Sequence, residues 1–69
     1  MAMRVRSGTL RILIDSLEIS ERQVARSAGL SHSTVNHLVT GRRTSCSMKT
    51  AAAIAKAIDR PVTEVFYEV

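Results

Sequence analysis

Four side chains between positions 32 and 37 can make directional hydrogen bonds without bringing a negative charge: His32, Ser33, Asn36 and His37. On a helix, at about 100° per residue, they gather within roughly 140° of arc. Two imidazoles, a hydroxyl and an amide on one face can match the donors and acceptors of a polar edge, and the lack of a carboxylate among them suits an anionic partner. Catalysis is a poor match. The histidines have no paired carboxylate, cysteine nucleophile or oxyanion cradle at usable spacing, so the chain is not expected to be an enzyme. Two histidines five residues apart also fall short of the three or four ligands of a zinc site, and no metal, cofactor or small-molecule ligand is expected. A second polar cluster follows at once, made of Thr40, Arg42, Arg43, Thr44, Ser45 and Ser47. Its hydroxyls and paired guanidinium groups are of the kind that hold phosphate.

Such side chains need a stiff mount, and the stretch SERQVARSAGLSHSTVNHLVTG from Ser20 to Gly41 supplies one. Ser20 followed by Gln23 forms a capping box, in which each side chain satisfies an orphan amide at a helix start. Gly29 stands where the chain must take a positive φ to leave that first helix, and Ser31 offers a fresh N-cap for a second helix over 31–40. Val24, Ala25 and Ala28 fall on one side of the first helix, and Val35, Leu38 and Val39 on one side of the second. The two helices can therefore bury one face against each other and leave the polar quartet outward.

This run resembles the lambda-repressor-like (Cro and cI, or XRE) helix-turn-helix DNA-binding domains. Val24-Ala25, Gly29, Ser31, Val35, Leu38 and Gly41 match that pattern in register. The resemblance implies that the second helix enters the major groove of duplex DNA, with His32, Ser33, Asn36 and His37 reading base edges. Asn36 would pair with an adenine edge, and the imidazoles with guanine acceptors or amino groups, depending on tautomer. Phosphate or minor-groove contacts would come from Ser20, Ser31, Thr40, Arg42, Arg43, Thr44, Ser45 and Ser47, the first two at helix starts rich in free amides. The chain departs from the family at three positions. Relatives usually have Gln at position 21, where it touches both a phosphate and a reading-helix side chain. Here Glu21 would repel phosphate, so it is expected to orient His32, His37 or Arg22 instead. Ile14 and Val39 replace an Arg and a Glu that many relatives pair across the helices, and the joint loss of both charges predicts that Ile14 touches Val39.

The rest of the chain reads as further helices. Leu10, Leu13, Ile14 and Leu17 mark a first helix from about Arg6 to Leu17, with Val5 and Ile12 on its far side, either as scattered surface residues or as a patch for a partner. After the polar, aperiodic run Arg42–Ser47, the residues Met48, Ala51, Ala52, Ile54, Ala55 and Ile58 form another stripe capped by Ser47. Pro61 then breaks the chain and opens a last short helix through Val62, Val65 and Phe66. The final residues Phe66 to Val69 either extend it or form a short strand.

Sixty-nine residues suit one domain over 1–69, and with one Phe and one Tyr the core must be aliphatic. The expected fold is all-α, a compact bundle of four to five short helices around the central helix-turn-helix. Ten Lys and Arg against six Asp and Glu give a net charge of +4, which favours a polyanion. The lone Cys46 can form no internal disulfide, and with no leader-like or membrane-length apolar run the expected location is cytoplasmic, nucleoid-associated when bound to DNA. The expected function is a sequence-specific DNA-binding transcriptional regulator, a phage or prophage repressor or Cro-like protein. Its expected partner is a palindromic double-stranded operator bound by a homodimer, with no membrane involved. The alternative is a module of the same fold that binds a protein, in the manner of an antitoxin.

Overall fold

The computed structural model describes residues 2–68. Five helices dominate: α1 (Ser7–Ser16), α2 (Glu21–Ala28), α3 (His32–Thr40), α4 (Met48–Ala57) and the single-turn α5 (Val62–Val65). Three short strands, β1 (Ala2–Val5), β2 (Ser45–Ser47) and β3 (Phe66–Glu68), form an antiparallel sheet in the order β2-β1-β3. The mainly helical bundle expected from the sequence is therefore present, with a small sheet added along one side.

The caps lie where local chemistry puts them. Ser20 accepts from the Gln23 amide at 3.1 Å while Gln23 Oε1 accepts from the Ser20 amide at 2.8 Å. Ser31 and Ser47 accept from the amides of Thr34 and Thr50, three residues on in each case. Helix α2 leaves through Gly29 at φ +71° and α3 through Gly41 at φ +79°. Two other helix ends adopt the same left-handed turn without glycine, at Glu18 (φ +55°) after α1 and Asp59 (φ +56°) after α4. The α4 exit thus turns at Asp59, two residues ahead of Pro61, which caps α5.

The core is aliphatic and continuous. Val24 and Ala25 of α2 are buried with Val35, Leu38 and Val39 of α3, Ala51 and Ile54 of α4, and Leu10 and Ile14 of α1. Helix α2 packs on both α3 and α4, and α1 packs on α3. Ile14 and Val39 are both buried in that cluster, so the core of this chain is apolar where many relatives are expected to carry an ion pair.

Several expectations need correction. Val5 does not project from α1: it lies in β1, buried opposite Phe66 of β3, while Met3 is buried opposite Cys46 of β2. The run Arg42–Ser47 is not loop throughout, because its last three residues pair with β1 and bury Cys46. Helix α1 begins at Ser7, after Arg6. Leu17, Met48 and Ala52, expected on inward stripes, are exposed. The open question at the C-terminus resolves as a strand over Phe66–Glu68, and Val69 lies outside the described residues.

Candidate nucleic-acid interface

Helix α3 presents its N-terminal half outward. His32 and Ser33 are exposed, and Asn36 and His37 are half-buried. The rod beneath them is firm, because Val35 and Leu38 are fully buried on its opposite side. Its C-terminal end is closed by two further bonds. The Thr40 hydroxyl donates to the Asn36 carbonyl at 2.9 Å, and the Arg43 amide donates to the His37 carbonyl at 2.9 Å. That second bond folds the chain back just after Gly41 and leaves Arg42 and Arg43 exposed beside the foot of α3.

The expected phosphate group divides into two kinds of residue. Arg42, Arg43, Thr44 and Ser45 are exposed, and the Thr44 carbonyl accepts from the Val5 amide at 3.0 Å, which ties this segment to the sheet. Ser20, Ser31 and Ser47 also serve as helix caps. The Ser31 hydroxyl bonds to the Thr34 hydroxyl at 2.8 Å, and the Ser47 hydroxyl donates to that of Thr50 at 3.1 Å, so Ser47 already spends its proton within its own helix.

Glu21 ties the two motif helices together. Its Oε1 accepts from Asn36 Nδ2 at 2.8 Å, and the same oxygen lies 3.7 Å from His32 Nε2. His32 was among the partners expected for this carboxylate; Asn36 was not. The clue in the sequence was the Glu in place of the family Gln. The pair sits at an open depression of about 450 Å³ that Ile14, Asp15, Ile19, Ser20 and Arg22 also line. Burial raises the Cys46 thiol above its ordinary pKa, and the positive charge of Arg43 pulls the other way. Among the described residues no three of His, Cys, Asp and Glu gather to hold a metal ion, and no helix is long and apolar enough to cross a membrane.

A tight turn at a left-handed Gly29 between two capped helices, the second with a polar outward face, is a helix-turn-helix. The helix-turn-helix family model HTH_3 matches residues 10–65. The chain belongs to this XRE/lambda-repressor-like family. Among solved structures, this helix-turn-helix protein is similar to the restriction-modification controller protein C.AhdI from Aeromonas hydrophila. They share 28% identity and a TM-score of 0.77, covering 84% of this chain and 86% of that one. It also shares the fold of the clp gene regulator ClgR from C. glutamicum, at 21% identity and a TM-score of 0.73, covering 84% of this chain and 74% of that one. No curated protein matches the sequence. Membership of this family supports a DNA-binding regulator.

Proposed function

We propose that this helix-turn-helix protein is a sequence-specific transcriptional regulator whose α3 reads the major groove with His32, Ser33, Asn36 and His37. One observation carries the reading: the hydrogen-bonding half of α3 stands outward on a buried, doubly capped helix, with Arg42 and Arg43 exposed directly beyond it. The arginines, with Thr40, Thr44, Ser45 and the capped helix starts at Ser20 and Ser31, supply the backbone contacts that set register. A dimer of such domains spans two half-sites with centres about 34 Å apart, so the operator is palindromic. Phage or prophage repressors and Cro-like proteins are one setting for such a domain. The likeness to C.AhdI favours a controller of the restriction-modification type.

A protein-binding module is the weaker reading, since Val5 belongs to the core and Ile12 remains the one exposed member of the patch that suggested it. Selection from random duplexes tests the main reading. The expected product is a symmetric site bound with steep salt dependence. Asn36→Ala should relax preference at one position per half-site, and Arg43→Ala should weaken all sequences alike and lower the salt slope by about 1. Equal affinity for scrambled duplexes refutes the specificity.

A further inference from the structure

The Glu21 carboxylate reaches the expected reading face, where it accepts a hydrogen bond from the Asn36 amide at 2.8 Å. An amide can be turned by half a revolution, which exchanges its acceptor Oδ1 for its donor Nδ2 at little steric cost. A carboxylate removes that freedom, because it only accepts. Were Asn36 turned over, Oδ1 would face Glu21 Oε1 across 2.8 Å with no proton between them. A Gln at position 21 would impose no such choice, since its own amide both donates and accepts. The imidazole of His32 lies 3.7 Å from the same oxygen, and in the tautomer that carries its proton on Nε2 it sets a second donor beside the carboxylate.

We propose that Glu21 is a specificity-determining positioning residue, holding the Asn36 amide in one of its two orientations so that α3 presents an edge complementary to adenine. The inference rests on the reading of α3 as the groove-facing helix. For that edge to be free, Glu21 takes the N–H that lies away from Oδ1. The other N–H and Oδ1 remain as a donor and acceptor side by side, the complement of adenine N7 and its N6 amino group. Guanine offers two acceptors there, and the fixed Oδ1 meets its O6 without a proton. The same carboxylate also stands at the start of α2, where the helix dipole favours it but where a DNA phosphate would be repelled. Glu21 thus trades general affinity for discrimination, and the two should move in opposite directions when it is neutralised.

Duplex selection and direct binding with wild type, Glu21→Gln, Glu21→Asp, Asn36→Ala and the Glu21→Gln/Asn36→Ala double variant test this. Wild type should prefer adenine over guanine at one position per half-site by about tenfold or more. Glu21→Gln should cut that preference to below about threefold while tightening binding to random duplexes, because a charge facing the backbone is gone. Glu21→Asp keeps the charge but withdraws the oxygen, so it should lose the preference with no gain on random duplexes. In the Asn36→Ala background Glu21→Gln should change nothing further at that position. In the free protein, nuclear magnetic resonance should show one Asn36 side-chain amide proton shifted downfield in wild type and not in Glu21→Gln. Full adenine preference in Glu21→Gln, or an unshifted amide in wild type, overturns the proposal while leaving α3 as the reading helix. A wild type that selects no sequence removes the reading beneath it, and the adenine edge with it.

Discussion

The same substitution, Gly→Ala, should have opposite signs at different points of this chain, and the reason lies in φ alone. At Gly29 an added Cβ meets no heavy atom within 4 Å, so sterics with the rest of the protein contribute nothing. What remains is the left-handed backbone at φ +71°, which costs an L-residue roughly 1–2 kcal/mol. Alanine also narrows the unfolded ensemble, returning about 0.4–1 kcal/mol. Gly29→Ala should therefore destabilise by about 1 kcal/mol, equivalent to about 4–8 °C in Tm for a domain of this size. Gly41→Ala should behave alike, because its Cβ would sit 3.7 Å from the Ser7 Oγ, an ordinary contact. Gly8, in the first turn of α1 with open space around it, has no positive φ, and Gly8→Ala should stabilise by about 0.5 kcal/mol. The mirror experiment uses the left-handed residues that are not glycine: Glu18→Gly and Asp59→Gly should be neutral or stabilise by up to about 1 kcal/mol. Urea and thermal unfolding of the five variants give the signs directly. An unchanged or more stable Gly29→Ala would refute the left-handed joint. A loss above about 3 kcal/mol would show crowding at a place where the structure has space.

Three further outcomes test the packing. Met3→Ala should cost about 2 kcal/mol or more in urea unfolding, while Arg4→Ala, one residue along on the exposed face of β1, should change little; equal effects would deny the strand. Ile14→Arg should leave a buried charge unpaired and lose about 3–5 kcal/mol, enough to unfold much of a domain this small, and adding Val39→Glu should recover a substantial part; a double variant no better than the single would separate the two positions. For Cys46 the folded thiol is the one with the raised pKa, so the unfolded chain ionises first. Stability from this residue should hold at neutral pH and fall as pH climbs through and above the usual thiol range. Urea midpoints against pH, with Cys46→Ala as the reference lacking that fall, measure it, and identical profiles would contradict the burial.

What could be read in the sequence is what local chemistry determines. Ser20 with Gln23, Ser31, Ser47 and the two exit glycines each act within four residues, so their caps and turns are visible without knowing the rest of the fold. The 3.6-residue period separated Val35, Leu38 and Val39 from the polar quartet for the same reason. Of the sheet only the C-terminal strand was offered, as one of two alternatives, because none of the strands exceeds four residues. Alternation in AMRV or SCS is too short to be distinguished from chance, and each strand is made stable only by a partner about forty to sixty-five residues away. Val5 therefore read as a surface residue of an extended helix, and Cys46 as a loop residue. Met48 and Ala52 failed for another reason. An Ala-rich helix carries too weak an apolar contrast to fix its rotation, so the inward face was drawn too wide.

Glu21 lies between these cases, and it shows what motif matching leaves out. Aligning one residue at a time identifies the replaced Gln and the extra negative charge, and the natural reading is a lost phosphate contact. The turn at Gly29 gives the change its other meaning. By sending α3 back across the start of α2, it brings position 21 against position 36, fifteen residues on, within 2.8 Å. Chemistry at one position then limits what the other can present, since a carboxylate at 21 can receive only the N–H side of whatever amide stands at 36. A residue that never touches a base can in this way decide which base is accepted, and substitutions at the two positions must be interpreted as a pair.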